Sequence, residues 1–345
     1  MDASLVSVSN ALLSAAVALL PVLVMLVVLQ QLDSFKLVRL RVVLWVLLGG
    51  ALCGVVAYFL NVAILSATDI AFAHYSRFGA PLAEEVLKAA VVIALLRTHR
   101  IGFLVDAAIL GFAVGAGFAV VENIYYLMGR DLHLLVWIVR GFGTAVMHGG
   151  VTAIFAIIVL TGLERRETLS VATWAPAIGL STLIHALYNQ FFLPPVPSAL
   201  IVFAGLPLLM MWIFQKGAAG LNQWLDLDMN GDVDLIEQIN SKNFLDTEIG
   251  RYLRTLSQRF EPLVVVDILC YLRVYTELSM RAKGALMLRE SGIDLPADPE
   301  VAEQFEELQA LAQSIGKTGL LALAPFVYTD RRDQWHLRLL QQDNI

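Results

Sequence analysis

The sequence contains few charged residues for its length. Asp, Glu, Lys and Arg make up 16% of the 345 residues, hydrophobic residues make up 58%, and the mean hydropathy is +0.71. A soluble domain carries about a quarter charged residues, so this composition argues against an ordinary soluble protein and indicates a chain embedded in lipid. The net charge of −6 leaves no basic surface, which argues against a nucleic-acid partner.

Cysteine and N-terminal basic residues are also scarce. The two cysteines, Cys53 and Cys270, have no partner at a metal-binding spacing, and a disulfide between such distant segments is not expected. No basic residue precedes Lys36, and the first apolar run extends from about Ala11 to Leu29. A secretory signal has a basic start and a shorter core, so a retained membrane span is predicted instead.

The apolar residues form seven runs of membrane-spanning length. They cover about residues 7–30, 42–65, 79–96, 104–127, 134–161, 171–193 and 197–215. The third run is the shortest and carries the most charge. The predicted fold is therefore all-α: a polytopic bundle of about seven spans, followed by a helical tail.

The loop charges predict how this bundle is oriented. Loops after the odd-numbered spans contain eight Lys and Arg residues, whereas the opposite loops contain only Arg77 and Arg130. Positive loops stay in the cytoplasm, so the N-terminus is expected outside and the C-terminus inside. Residues 1–216 are predicted to form the membrane-embedded domain, and residues 217–345, with 12 basic and 20 acidic residues, an acidic cytoplasmic domain.

Several ionisable and amide side chains interrupt the predicted spans. An ionisable residue costs at least ~2.5–3.5 kcal/mol near the centre of a span, so it usually faces a cavity and carries function. The topology places these residues between the outer third of the bilayer and its midplane. They lie on spans three to six: Glu84, Glu85, Lys88, Glu122, Asn123, His148, His185 and Asn189. Arg140 and Asp106 are interpreted as interface or structural residues.

This set suits hydrolysis of a peptide bond, by either of two routes. A buried Glu beside Lys88 could act as the base that deprotonates water, with His185 and Asn189 donating hydrogen bonds to the oxyanion. Alternatively, Glu84, Glu122, His148 and His185 could bind a zinc ion and leave one position open for water. The residues fit both routes.

Three motifs resemble those of a known protease family. Glu-Glu-x-x-Lys at 84–88, Phe-x-x-x-Glu-Asn at 118–123 and His-x-x-x-Asn at 185–189 occur in order on separate spans. Together they resemble the PrsW family, relatives of the CAAX-processing membrane proteases. The resemblance implies an enzyme of a bacterial-type inner membrane that cleaves a single-span membrane protein, in the family's known case an anti-sigma factor. It also implies a catalytic set of Glu84, Glu85, Glu122, His148 and His185.

A second motif lies in the acidic tail. Residues 226–237 fit the EF-hand loop pattern at every position. The expected calcium ligands are Asp226, Asp228, Asn230, Asp232, Asp234 and Glu237, with Gly231 at the sharp turn. The sequence therefore predicts a single EF-hand-like loop just after the last span, which binds Ca²⁺ or Mg²⁺ and tunes the membrane domain or its dimerisation.

Two other functions remain open at this point. The same Glu, Lys and His residues could form a proton or cation pathway in a transporter or channel, although the sequence has no internal repeat of the kind that transporters show. A calcium-responsive membrane scaffold is the other alternative. The sequence specifies neither the substrate nor an oligomeric state.

Overall fold

A computed structural model of the protein describes residues 3–129, 133–190, 192–293, 296, 298–327 and 331–344. Every regular element in these ranges is helical. The chain divides into two compact units, Met1–Ala218 and Ala219–Ile345. Arg130, one of the loop residues used to predict the orientation, lies outside the described residues.

The first unit is a bundle of long apolar helices joined by short connections. Its helices are α1 (Ala3–Gln31), α2 (Leu40–Ala67), α3 (Phe72–His74), α4 (Ala80–Arg97), α5 (Leu104–Gly129), α6 (Leu134–Ile138), α7 (Val146–Arg166), α8 (Val171–Asn189) and the first part of α9 (Pro195–Ile239). Two π-helical segments, Tyr75–Gly79 and Val139–Ala145, join α3 to α4 and α6 to α7.

Six helices in the described part of the chain are long and apolar enough to cross a membrane. They are α1, α2, α5, the continuous helix Leu134–Arg166, α8 and α9. This finding confirms a multi-pass membrane protein. The predicted third span is helix α4, whose four charged residues separate it from the six apolar ones, so the count of seven spans stays a prediction.

Helix α5 forms the centre of the bundle because its middle is both apolar and small. All residues from Val105 to Ala119 are buried. A side chain on Gly115 would collide with the backbone of His148, and one on Gly117 would collide with the backbone of Leu47. Small residues let helices pack backbone to backbone in a membrane, so these glycines bring α5 against both α7 and α2.

The second unit is a small helical domain around one central helix. Its elements are the C-terminal part of α9, a 3₁₀ turn (Phe244–Asp246), α10 (Glu248–Leu256), α11 (Pro262–Glu290), α12 (Pro299–Ala322) and α13 (Arg331–Asn344). The core residues Ile249, Ile268, Leu272 and Leu323 come from several of these elements. Proline in the first turn of α11 and of α12 favours helix initiation there, because the first N–H groups have no intrahelical partner.

The predicted EF-hand loop is wrong in its conformation, because residues 226–237 lie inside helix α9. The glycines with positive φ in the described residues are Gly292 and Gly316, so Gly231 makes no sharp turn. Ligands spaced two residues apart cannot converge on a helix, where only residues three or four apart share a face.

Two acidic side chains of this helix are paired instead with a lysine. Asp228 and Asp232 are four residues apart, and both form ion pairs with the buried Lys283 of α11. Asn230 donates a hydrogen bond of 2.8 Å to the backbone carbonyl of Asp226. The sequence matched the EF-hand pattern because that pattern specifies residue types only. The helix itself is stabilised by apolar positions such as the buried Leu221 and Leu225.

Candidate functional site

Side chains from four helices form one connected polar cluster in the membrane unit. Helix α4 contributes Glu84, Glu85 and Lys88, and α5, α7 and α8 contribute Glu122, His148 and His185. Lys88 Nζ lies 2.5 Å from Glu85 Oε1 and 3.1 Å from His148 Nδ1. His148 Nε2 lies 3.1 Å from Glu122 Oε2, and His185 Nδ1 lies 2.8 Å from Glu85 Oε1. The convergence predicted from the topology is therefore present.

The cluster has a fully buried part and a partly exposed part. Glu85, Lys88, His148 and His185 are each at most 3% exposed. The side chains of Glu84 and Glu122 are 13% and 27% exposed. Two of the three carboxylates therefore reach the surface of the bundle, while Glu85 lies behind them.

The three carboxylates differ in their charged partners. Glu85 is paired with Lys88, and Glu122 is paired with Arg140, whose Nη2 lies 3.2 Å from Glu122 Oε1. Glu84 instead accepts a hydrogen bond of 3.4 Å from the neutral amide of Asn61 and lies 3.9 Å from His185 Nε2. Lys88 and Arg140 each face one carboxylate, whereas Glu84 faces an amide and an imidazole.

The contacts of the two histidines define their ring orientation. An ammonium group can only donate, so His148 Nδ1 accepts from Lys88 and Nε2–H donates to Glu122. Glu85 holds the Nδ1 edge of His185, so its Nε2 edge faces Glu84. A carboxylate that binds one ring nitrogen is the usual way to orient a metal-binding or catalytic imidazole.

Three of these residues meet the first requirement of a metal site. Glu84, His148 and His185 each offer one ligand atom, and these atoms lie within 4.8 Å of one another. Two imidazoles and one carboxylate form a ligand set typical of catalytic zinc, with the fourth position left for water. Glu122, the fourth predicted ligand, is not part of this group of three and instead contacts His148. Both ring nitrogens of His148 have partners here, so binding an ion requires Lys88 or Glu122 to give up its contact.

The two predicted asparagines contact neighbouring helices. Asn123 donates a hydrogen bond of 2.7 Å to the carbonyl of Ala18 in α1 and accepts one of 2.9 Å from Arg140 Nε. Asn189 donates one of 3.3 Å to the carbonyl of Ser76. These hydrogen bonds link neighbouring helices near the cluster. The catalytic roles of both asparagines stay predictions.

The contact between Asn189 and Ser76 follows from a proline. In the π-helical segment before α4, the N–H of Ala80 bonds to the carbonyl of Tyr75, five residues earlier. The same register would pair Ser76 with Pro81, which has no N–H. A carbonyl without a partner in lipid is costly, and the amide of Asn189 satisfies it.

Sequence reasoning missed two residues of the site. Asn61, which contacts Glu84, is a lone amide in the apolar helix α2, and its phenolic partner Tyr75 donates to Asn61 Oδ1 at 2.7 Å. Arg140 was interpreted as an interface residue, although a charge within a predicted span was a usable signal. The pairing of either residue with a particular carboxylate depends on tertiary packing.

Comparison with known proteins identifies the family. Residues 38–215, just over half of the chain, match the PrsW family of intramembrane metalloproteases. No curated protein and no solved structure matches the chain. The matched range contains all six residues of the cluster, and the family consists of peptide hydrolases. The chain therefore belongs to the PrsW family of intramembrane metalloproteases.

Proposed function

We propose that this enzyme hydrolyses a peptide bond of a membrane protein at the cluster formed by Glu84, His148 and His185. The observation that carries the proposal is the position of Glu84. It is partly exposed and faces His185, and it has an amide as its neighbour where the other two carboxylates have Lys88 and Arg140.

Glu84, His148 and His185 are the residues that would bind a zinc ion. Such an ion would supply a Lewis acid that activates water and polarises the scissile carbonyl. Glu85 and Glu122 orient His185 and His148 through the hydrogen bonds described above. If no ion takes part, Glu84 itself accepts the proton of the attacking water, since it reaches solvent and is not neutralised by a lysine or arginine. Glu84 is required by both routes.

The proposed substrate is a single-span membrane protein, such as an anti-sigma-factor-like regulator, cut near its outer face. The proposed arrangement has seven spans, with α4 as the third, the N-terminus outside and residues 217–345 in the cytoplasm of a bacterial-type cell. Support comes from the loop charges and from the neighbours of α4, because this helix packs against α2, α5, α7 and α8 inside the bundle.

Proteolysis by the purified protein, reconstituted in liposomes with a tagged single-span substrate, tests the proposal. Glu84→Gln should lower the cleavage rate by about 10²–10⁴-fold, the range for loss of a general base, whereas the exposed control Glu164→Gln should keep it. Metal analysis of the same samples separates the two routes, because zinc bound to wild type and lost in His185→Ala indicates the metal route. Ion flux without cleavage would instead indicate the transporter.

A further inference from the structure

Arg140 contacts the catalytic cluster from the rim. Its guanidinium pairs with Glu122 through Nη2 at 3.2 Å and donates a hydrogen bond of 2.9 Å from Nε to Asn123 Oδ1. The ring of Tyr126 lies 3.8 Å from the guanidinium carbon, a cation–π distance. These three residues lie close together on α5, between positions 122 and 126.

The π-helical segment explains why Arg140 reaches the same carboxylate as His148. In a regular α-helix, residues eight positions apart point about 80° away from each other. The segment Val139–Ala145 has π-helical i→i+5 turns, which take more residues per revolution and reduce that angle. As a result, Arg140 contacts Glu122 Oε1 while His148 contacts Glu122 Oε2. Such π-bulges are common at functional sites.

The contacts of Arg140 restrict Glu122 to one orientation. Asn123, which accepts from Arg140, is itself fastened to Ala18 of α1, and the Arg140 side chain is only 14% exposed. Glu122 is more exposed, at 27%, and would otherwise be free to turn towards water. With one oxygen held by the arginine, the other remains available to His148.

We propose that Arg140 is a positioning residue, which acts through Glu122 to hold His148 in its working orientation. This proposal rests on the proposed function, since it assigns a role in that same site. Lysine has a single ammonium in place of the planar guanidinium fork, so it cannot reproduce the contacts to Glu122 and Asn123 together.

The test combines Arg140→Met and Arg140→Lys with a matched control, Arg77→Met, which removes an exposed arginine from the other π-helical segment. For Arg140→Met, kcat should fall about 10–100-fold, the usual cost of losing a group that orients a ligand, with KM changed less than about threefold. Zinc affinity of the purified protein should fall about tenfold. Arg140→Lys, which keeps the charge, should lose less of both.

A double-mutant cycle separates positioning from general structural support. If Arg140 acts through Glu122, then Arg140→Met should lower kcat and zinc affinity by less than about twofold in a Glu122→Gln background, because the group on which it acts is already disabled. Losses that multiply independently would overturn the positioning role. So would full activity and zinc affinity in Arg140→Met. A wild-type protein that neither cleaves substrate nor binds zinc would overturn the proposed function itself, and this proposal with it.

Discussion

The three carboxylates of the cluster share a residue type but have different chemical surroundings. Glu85 is fully buried against Lys88 and His185, Glu122 is shared between Arg140 and His148, and Glu84 contacts a neutral amide and an imidazole. A buried carboxylate that pairs with a cation is stabilised as an anion and is already occupied by that partner. Glu84 is the carboxylate left available for a proton or a metal ion.

At the residue scale, the first prediction concerns Asn61. Asn61→Leu removes the amide that holds Glu84 Oε1, so kcat for substrate cleavage should fall about tenfold, the lower end for loss of an orienting partner. Tyr75→Phe, which removes the hydrogen bond to Asn61 Oδ1, should cause a smaller loss. Asn222→Leu is the control, because Asn222 contacts Glu290 in the second unit. Equal kinetics for Asn61→Leu and wild type would show that Glu84 does not need this contact.

The elements of the membrane unit position the site through irregular features. Pro81 interrupts hydrogen bonding before α4, the π-helical segment before α7 turns Arg140 towards Glu122, and Gly115 lets α7 approach α5 backbone to backbone. Each of these features departs from a regular helix close to the cluster. The geometry of the cluster therefore depends on local deviations as much as on the spans themselves.

The second prediction concerns helix α9 and the two aspartates that pair with Lys283. Lys283→Met leaves Asp228 and Asp232 without their shared cation, and we expect a loss of about 2 kcal/mol in the stability of the second unit. This value is below the 3–5 kcal/mol of a fully buried pair, because both aspartates are partly exposed. Faster amide hydrogen exchange in α9 and α11 measures the loss, and Lys242→Met, at an exposed position, is the control.

Hydrogen exchange of the wild-type protein also tests the assignment of residues 226–237. Since a helix spreads the predicted ligands around its axis, millimolar Ca²⁺ should leave hydrogen exchange of this segment in the wild-type protein unchanged. Strong protection by Ca²⁺ would show that the segment can leave the helix and form the loop after all.

At the scale of the whole molecule, a sparsely charged first unit with the apolar helices is followed by an acidic second unit. The boundary between the compact units falls after Ala218, inside the continuous helix α9. The chain thus continues directly from its last apolar helix into the acidic part.

The third prediction tests the span count, using single cysteines in a Cys53→Ala, Cys270→Ala background. With seven spans, Phe72→Cys should react with a membrane-impermeant maleimide from outside, whereas Thr98→Cys and Leu321→Cys should react only from the cytoplasmic side. All three positions are exposed, and Phe72 and Thr98 flank α4. Labelling of both Phe72→Cys and Thr98→Cys from the same side would show that α4 does not cross the membrane, and labelling of Thr98→Cys only from outside would overturn the orientation predicted from loop charges.

The sequence alone was sufficient for the class of molecule, because that conclusion depends on composition and on residue order. Apolar runs indicated a multi-pass membrane protein, which the six apolar helices confirm, and three ordered motifs indicated the family, which the match over residues 38–215 confirms. Glu84, Glu85, Glu122, His148 and His185 stood out since ionisable groups are rare in lipid-embedded helices. Their individual roles stay predictions.

The tertiary structure determined which side chains pair with each other. Lys88 pairs with Glu85, Arg140 with Glu122 and Asn61 with Glu84, and two of these three pairs join different helices, whose approach is determined by packing rather than by spacing along the chain. The acidic segment shows the same limit. Its residue types suit a calcium loop, but its backbone is helical and two of its aspartates form ion pairs with Lys283. A local pattern specifies which side chains are present, whereas the distances between them arise only when the helices pack together.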